Sequence, residues 1–270
     1  MKEKNFAVFI LTNGRPQKVI TYKNLRNSGY TGKIYLLVDD LDKTVDEYKS
    51  IYKDEGDNFQ DMRAIIYARN ASFEVAKKLN IKYFLQFDDD YTNFSFRFNQ
   101  YLKYGVITCR NIDKVFDAFL DFYKKTNIAS IAFSQGGDFI GGAENKSTAD
   151  QVTLKRKCMN SFFCSTERPF KFVGRINEDV NTYTHLASKG LIFFTSNQFS
   201  LTQKQTQSNS GGMTELYLDS GTYVKSFYSI MYQPSSVKIG VLRGQASSRF
   251  HHSIKWDQTV PKILRQEHKK

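Results

Sequence analysis

The segment Tyr83-Phe84-Leu85-Gln86-Phe87-Asp88-Asp89-Asp90 decides the fold, because it joins a buried strand to three carboxylates. Two similar strand-like runs precede it, Phe6–Leu11 and Lys33–Val38. Continuous apolar runs of this length are typical of strands buried on both faces, as in parallel sheets. Stretches of helix length separate the three runs. This pattern predicts right-handed βαβ crossovers and an α/β fold with a mostly parallel sheet flanked by helices.

The rest of the chain divides into further helices, strands and loops. Helices are predicted over residues 17–28, 44–53, 70–79, 112–125, 179–189 and 216–231. Additional strands are predicted at 64–67, 128–133 and 192–194. Polar or glycine-rich loops are predicted at 134–142, 145–156 and 203–213. No internal repeat or linker is visible, so we expect a single domain over residues 1–270.

Composition limits the class of protein. Of 270 residues, 40% are hydrophobic, which supports a sizeable core and excludes a disordered tail or a coiled coil. The net charge of +12 favours an anionic partner such as nucleic acid, a nucleotide or a membrane surface, although solubility alone would also account for it. We expect a cytoplasmic protein, since no run approaches the ~20 apolar residues of a membrane span. The three cysteines are expected to be reduced thiols.

Polar residues follow each of the three strands at its carboxyl end. The first strand leads into Thr12, Asn13, Gly14 and Arg15, and the second into Asp39-Asp40. Ligands of open α/β sheets bind outside the carboxyl ends of the strands. An aspartate there would accept hydrogen bonds from a base or a ribose, or else cap the helix that follows.

Asp88, Asp89 and Asp90 form the densest acidic group. Oxygen ligands of this kind suit Mg²⁺ or Mn²⁺, and such an ion can bridge to substrate phosphates. A solvated turn or a helix cap is the alternative, because aspartate-rich turns are common. Arg69-Asn70 lies just upstream. Arg69 would contact a diphosphate, or would form a structural ion pair with the acidic residues.

Two later groups complete the candidate site. Glu178-Asp179 opens a predicted helix, where a carboxylate pair acts either as a catalytic base or as a favourable charge for the helix dipole. His251-His252 precedes Trp256. Adjacent residues of a strand face opposite sides, so at most one of these histidines would reach a metal, and we favour His252.

These residues carry a family resemblance. The order Ala68-Arg69-Asn70-Ala71, then Phe87-Asp88-Asp89-Asp90, then Asn177-Glu178-Asp179-Val180 resembles the nucleotide-sugar glycosyltransferases of the GT-A fold, which is Rossmann-type. The chain is most similar to the TET/JBP-associated glycosyltransferases of phage genomes. That closer resemblance rests on Thr12-Asn13-Gly14-Arg15-Pro16, on Gly29-Tyr30-Thr31-Gly32-Lys33-Ile34 leading to Val38-Asp39-Asp40, and on Arg249-Phe250-His251-His252 with Trp256.

The resemblance implies a metal-dependent, inverting transfer from a UDP-sugar to a hydroxymethylated pyrimidine in DNA. Asp179 would be the general base, with Glu178 beside it. Mn²⁺ or Mg²⁺ would be held by Asp90 and Asp88, with His252 or His251 completing the shell. The donor would contact Thr12, Asn13, Gly14, Arg15, Asp39, Asp40, Arg69, Asn70, Asp88 and Asp89. A phage-encoded enzyme of this kind would work in the host cytoplasm.

The same resemblance divides the chain by role. Residues 1–110 would bind the nucleotide sugar, residues 111–260 would hold the acceptor and the catalytic group, and residues 261–270 would form a basic tail. The alternatives are a polysaccharide, lipid or protein acceptor, a nucleic-acid-binding module without catalysis, or a nucleotidyltransferase.

The acceptor side leaves two interpretations open. Basic residues interleave with phenylalanines before Glu178, as suits a DNA backbone and an unstacked base. In the other interpretation the phenylalanines are core and the cations form a solvated face. The residues concerned are Lys155, Arg156, Lys157, Arg168, Lys171 and Arg175 with Phe162, Phe163, Phe170 and Phe172. Gly136-Gly137-Asp138 would bring backbone close to the donor sugar, or would form a hairpin turn.

Overall fold

The computed structural model describes residues 3–39, 41–52, 59–60, 65–145, 157–204, 223–243, 248–259 and 266. Its strands are β1 (Phe6–Leu11), β2 (Lys33–Val38), β3 (Phe59–Gln60), β4 (Tyr83–Asp88), β5 (Tyr91–Phe98), β6 (Tyr104–Thr108), β7 (Ser130–Ser134), β8 (Ser161–Ser165), β9 (Phe193–Gln203), β10 (Val237–Arg243) and β11 (Ser248–Ile254). Its helices are α1 (Ile20–Asn27), α2 (Val45–Ile51), α3 (Ile65–Lys78), α4 (Ile112–Lys125), α5 (Glu178–Ser188) and α6 (Val224–Tyr232).

The main sheet has five strands in the order β3-β2-β1-β4-β8. The first four of these run parallel, and β8 joins β4 in the antiparallel direction. Ile10 of β1 lies between Leu36 of β2 and Phe87 of β4, so the three polar strand ends meet at one edge. The predicted α/β fold with a mostly parallel sheet is confirmed.

Helices cover both faces of this sheet because successive residues of β1 point in opposite directions. Val8 and Ile10 pack in one core cluster with residues of α1 and α4, and Ala7 and Phe9 pack in a second cluster with residues of α3 and α5. Burying each large apolar side chain in these clusters contributes about 1.5–3 kcal/mol. The two cores fix the sheet edge on which the polar residues stand.

A second sheet and a hairpin complete the architecture. The second sheet has the order β6-β5-β9-β7, in which only β7 and β9 run parallel. Strands β10 and β11 form an antiparallel pair of their own. Among the described helices, none is both long and apolar enough to cross a bilayer. The three cysteines are buried and free, as expected.

Several predicted elements need correction. The strand predicted at 64–67 is wrong, since Ile65 already begins α3. A short apolar run is ambiguous in period, and this one packs against the core as a helical turn. The helix predicted at 17–28 is a 3-10 turn (Pro16–Lys18) followed by α1, and the break between them lies at Val19, whose ψ of 77° is not helical. The predicted strand at 192–194 extends to Gln203.

Some predictions concern residues outside those described. These are Asp40, the loops at 146–156 and 205–213, most of the tail after 260, and the first part of the helix predicted at 216–231. The described part of that helix is α6.

Candidate active site

The acidic turn lies between two strands that belong to different sheets. Asp88 ends β4 and Tyr91 begins β5, so Asp89 and Asp90 alone make the connection. Thr21, at the start of α1, holds this turn in place. Its hydroxyl donates to the Asp88 carbonyl at 2.6 Å and accepts from the Tyr91 N–H at 2.9 Å, and its own N–H donates to the Asp89 carbonyl at 3.1 Å. The turn is therefore fixed by backbone contacts, and its carboxylates remain for other partners.

Asp89 connects the acidic turn to the end of β1. The Thr12 hydroxyl donates to its Oδ2 at 2.6 Å, and the Arg15 Nε lies 3.3 Å from the same oxygen. Tyr48 supports the pair, since its hydroxyl contacts Thr12 Oγ1 at 2.9 Å and accepts from the Arg15 N–H at 2.9 Å. Burial raises the pKa of Asp89, although Arg15 and Thr12 oppose the shift. Thr12, Arg15 and Asp89 are thus brought together as predicted.

The ends of β1 and β2 are joined by a residue that the sequence analysis missed. Asp42 Oδ2 accepts from the Gly14 N–H at 2.5 Å, and Gly14 has a φ of +64° that favours glycine. Asp39 accepts from the Leu41 N–H at 2.9 Å, which is a local turn contact and not a cap of α2, whose N-cap is Thr44. Asn13 is exposed at the same edge. The sequence does offer a signal for Asp42, because it is a further acidic residue only three positions after Asp39, beyond the end of β2.

Arg69 is buried in the middle of α3, with 1% of its surface exposed. Its Nη2 lies 2.8 Å from Asp88 Oδ1 and its Nε lies 2.8 Å from Glu178 Oε1. The guanidinium carbon lies 5.0 Å from the ring centre of Phe162 and 5.7 Å from that of Phe172. The structure therefore shows the ion pair with the acidic cluster that was one of the two interpretations of Arg69.

Asn70 makes structural contacts as well. Its side chain accepts from the Phe172 N–H at 2.8 Å and donates to the Phe172 carbonyl at 3.2 Å. These two hydrogen bonds fix the segment that leads into α5. Nη1 of Arg69 is buried without a hydrogen-bond partner among the described residues.

Asp179 stands at the start of α5, beside Glu178. It is 7% exposed, and its Oδ1 accepts from the Val180 N–H at 2.7 Å. Burial, and then the neighbouring Glu178, raise the pKa of Asp179 to about 7, while Arg69 opposes the shift. Asp88 also acts on this carboxyl in the raising direction. The acidic strand end and the helix start, which lie 90 residues apart in sequence, therefore form one electrostatic cluster.

Asp90 has a different environment from its two neighbours. Its Oδ1 is buried without a hydrogen-bond partner in the described parts of the chain, and its Oδ2 accepts only a long 3.5 Å bond from Gln203. Burial, followed by the charges of Asp88 and Asp89, raises the pKa of Asp90 to about 7. A buried carboxylate oxygen without a partner is a fitting ligand for a hard divalent cation.

A complete metal shell is not assembled by the described side chains. No three or more His, Cys, Asp and Glu residues among them lie together as a set of ligands. Mg²⁺ commonly uses one or two protein carboxylates and takes its other ligands from phosphates and water. Asp90 and Asp88 fit a site of that kind.

The two histidines lie in basic surroundings. His252 sits on β11 opposite Ile239, and its ring centre is 4.1 Å from that of His251. The expectation that the two rings face opposite sides is wrong, since rings on opposite sides of a strand would not lie this close together. Burial, then His251, Lys225 and Lys157, lower the pKa of His252 to about 3.

Residues on the acceptor side divide into core and surface. Phe162, Phe163, Phe170 and Phe172 are all buried, so the interpretation of these rings as core is the right one. Arg168 is structural too, since it donates to the carbonyls of Thr126, Ile128 and Tyr123. Lys171 and Arg175 are exposed. Lys155 and Arg156 lie outside the described residues.

The glycine-rich loop is not a hairpin turn. Gly136–Phe139 forms a 3-10 turn in which Gln135 N–H donates to Asp138 Oδ2 at 2.9 Å. The buried Asp138 pairs with Lys157 at 2.6 Å. A Cβ at Gly136 or Gly137 would meet nothing within 4 Å, so the protein itself leaves space at this backbone.

Comparisons with known proteins identify a family. The model of one protein family, described as TET-Associated Glycosyltransferase, matches residues 6–212. No curated protein matches the chain significantly. Two solved structures are similar in outline. A protein described as a nucleotide-diphospho-sugar transferase, from Desulfovibrio desulfuricans, has 7% identity and a TM-score of 0.41, covering 84% of this chain and 99% of its own.

The second is a cytidylyltransferase from Leptospira borgpetersenii, with 13% identity and a TM-score of 0.41, covering 85% of this chain and 88% of its own. With TM-scores this low, neither structure bears on the chemistry of the site.

Proposed function

The chain belongs to the TET-associated glycosyltransferase family, and on that premise we propose that it transfers a sugar from a UDP-sugar to a hydroxymethylated pyrimidine in DNA. The position of Arg69 carries this proposal. One buried guanidinium contacts Asp88, at the end of a donor-side strand, and Glu178, next to Asp179. A transferase must hold its donor and its proton acceptor in one site, and this contact brings the two groups of carboxylates together.

The donor's nucleotide occupies the polar edge formed by β1, β2 and β4. Thr12, Arg15 and Asp39 stand at this edge, and α/β sheets bind nucleotides at such strand ends. Arg15 is partly exposed and supplies positive charge there. Asn13 and Gly14 add exposed polar groups at the same edge.

A divalent cation, Mn²⁺ or Mg²⁺, is the expected cofactor. Asp90 would hold it through its unpartnered Oδ1, with Asp88 as the second carboxylate. When bound, such an ion stabilises the negative charge that develops on the departing nucleoside diphosphate. His252 suits this role less well, because the positive charges of Lys225 and Lys157 already act on it.

Asp179 acts as the general base in a single inverting displacement. The acceptor hydroxyl oxygen forms a bond to the anomeric carbon while the bond from that carbon to the diphosphate oxygen breaks. The hydroxyl proton passes to the Asp179 carboxylate. Glu178 is held by Arg69 and positions the start of α5. A base with a pKa near 7 is well matched to this proton transfer.

DNA is the acceptor that the charge of the molecule favours. The net charge of +12 and the exposed Lys171 and Arg175 before α5 suit a polyphosphate backbone. The family is named for its association with TET enzymes, which agrees with a hydroxymethylated base as substrate.

The deciding experiment offers several donors and acceptors at once. The protein is incubated with Mn²⁺, a panel of UDP-sugars, and either hydroxymethylated or plain DNA, which is then digested to nucleosides for mass spectrometry. We expect a hexose or pentose mass on the hydroxymethylated nucleoside alone. Transfer to a polysaccharide, lipid or protein instead, or nucleotide transfer without sugar transfer, would contradict the proposal.

A further inference from the structure

Trp256 is the single tryptophan of the chain, and it forms an exposed aromatic surface. It opens a 3-10 turn (Trp256–Gln258) directly after β11. Its ring stacks on Tyr183 with 5.8 Å between ring centres and 19° between the ring planes. Tyr183 is 1% exposed, whereas Trp256 is 37% exposed. One aromatic ring thus lies in the core and supports a second ring that solvent can reach.

This aromatic pair lies next to the candidate base. Tyr183 and Asp179 are four residues apart on α5, so their side chains share one face of the helix and follow each other by one turn. Burial, and then the charge of Asp179, raise the pKa of Tyr183, which agrees with their proximity. Tyr183 therefore links the exposed indole of Trp256 to the helical turn that carries the proton-accepting carboxylate.

The turn that carries Trp256 is held at both ends. Before it, the Lys255 N–H donates to the Ser236 carbonyl at 2.8 Å, and Ile254 packs against the core beneath the main sheet. After it, the Thr259 hydroxyl donates to the Trp256 carbonyl at 2.9 Å. A large ring fixed in this way loses little conformational entropy when a ligand stacks on it.

We propose that Trp256 is the stacking surface for the acceptor base, which requires that the acceptor be DNA as proposed above. Tyr183 supports the protein side of the indole, and the unstacked base covers the solvent side. Every base offers a flat π face, and stacking on an aromatic side chain is the common way in which proteins hold bases outside a duplex. Lys255 is exposed beside the ring and supplies charge for the adjoining phosphate.

The test uses tryptophan fluorescence, for which Trp256 is the single reporter. The wild-type protein is titrated with a short single-stranded oligonucleotide of abasic sites that carries one 5-hydroxymethylcytosine, and with the same oligonucleotide bearing an abasic site at that position as well. The second probe keeps the phosphates and loses the base. We expect quenching by the first probe and much weaker quenching by the second. Equal quenching by the two probes would overturn the proposal.

Variants that replace Trp256 lack tryptophan fluorescence, so their binding is measured in a different way. Binding of the labelled base-bearing oligonucleotide is followed by anisotropy, with circular dichroism as a check of folding. Trp256→Leu should weaken binding about 10-fold or more, and Trp256→Phe should restore most of it. Neither variant should alter the binding of UDP.

The outcomes separate this inference from the proposed function. If wild-type protein glycosylates hydroxymethylated DNA with the same KM for DNA as Trp256→Leu, the function stands and the stacking role is wrong. If wild-type protein does not glycosylate DNA, both are wrong. Quenching by an oligosaccharide and not by either oligonucleotide would assign the ring to a sugar acceptor and overturn the base assignment.

Discussion

The central carboxylates form two contrasting groups. The matched carboxylates are Asp88, Asp89 and Glu178, each of which contacts an arginine guanidinium. The unmatched carboxylates are Asp90 and Asp179, which form no ion pair with an arginine within the described residues. Burial raises the pKa of all four aspartates, and it brings the pKa of Asp90 and of Asp179 to about 7.

The difference separates structural from chemical roles. A buried acid that is paired and hydrogen-bonded stabilises the arrangement of its neighbours, whereas a buried acid without a cation is costly unless a ligand uses it. Perturbed pKa values in a cleft are typical of functional carboxylates. We therefore expect the matched group to build the site, with Asp88 also serving as the second carboxylate of the proposed cation site, and the unmatched group to act on ligands.

The largest effect should follow the loss of Arg69. Arg69→Met would leave Asp88 and Glu178 buried without a cation, and we expect a loss of about 3–5 kcal/mol in the free energy of unfolding. Sugar transfer should be lost as well. Urea denaturation and a transfer assay measure the two effects.

Arg168→Met is the matched control, because Arg168 is also partly buried and binds carbonyl groups instead of carboxylates. It should lower stability to a smaller degree and leave UDP binding intact. If Arg69→Met were as stable and as active as the wild type, the matched group would have no structural role.

The next effect concerns catalysis. Asp179→Asn should reduce kcat about 10²- to 10⁴-fold, since the amide cannot accept the acceptor proton. The KM for the donor should stay close to the wild-type value. Steady-state kinetics give both numbers, with Asp121→Asn on the surface of α4 as a neutral control. A lost affinity for the donor, with kcat unchanged, would show that Asp179 binds the donor.

The pH dependence of stability tests the raised pKa of Asp179, which belongs to the unmatched carboxylates. The pKa of Asp179 is raised on folding, so its favourable contribution is present below pH 4 and is lost as the pH rises through about 7. The side chain of Asp179→Asn cannot ionise, so this variant avoids the free-energy cost of a buried negative charge at high pH. The variant should match the wild type near pH 4 and exceed it by roughly 2–4 kcal/mol above pH 7. Thermal unfolding at several pH values tests this, and a constant difference across that range would count against a raised pKa.

A smaller effect is expected at the hydroxyl that supports Asp89. Thr12→Val keeps the volume and removes the 2.6 Å bond to a buried carboxylate, at a cost of about 1.5–3 kcal/mol. Thr92→Val is the control, since Thr92 makes a 3.2 Å bond to the Thr202 carbonyl at an exposed place and should change stability by less than ~0.5 kcal/mol. Equal effects of the two substitutions would show that the Thr12 hydroxyl does not stabilise the buried Asp89 carboxylate.

The sequence predicts the main sheet well and the second sheet poorly. Strands β1 and β2 agree with prediction at both ends because each is a continuous apolar run that both cores bury. Strands such as β5 alternate polar and apolar residues without clear turn residues, and their pairing depends on partners more than 100 residues away. Such pairing has no local signal.

The sequence predicts which residues form the candidate site, but it does not predict the contacts between them. The position of polar residues after strands places Thr12, Arg15 and Asp89 together, since parallel strands end at one edge. Nothing in the spacing shows that Arg69 would reach both Asp88 and Glu178, because that contact depends on how α3 and α5 pack on the same face of the sheet. The basic surroundings of His252 likewise arise from tertiary packing.

The most direct test of the account is the Mn²⁺ dependence of UDP binding, measured by isothermal titration calorimetry on the wild type, Asp90→Asn and Asp179→Asn. The account predicts that Mn²⁺ tightens UDP binding in the wild type and in Asp179→Asn, and that Asp90→Asn loses this gain. If Asp90→Asn kept the full gain from Mn²⁺, or Asp179→Asn lost it, the assignment of the two unmatched carboxylates to donor and acceptor chemistry would be contradicted.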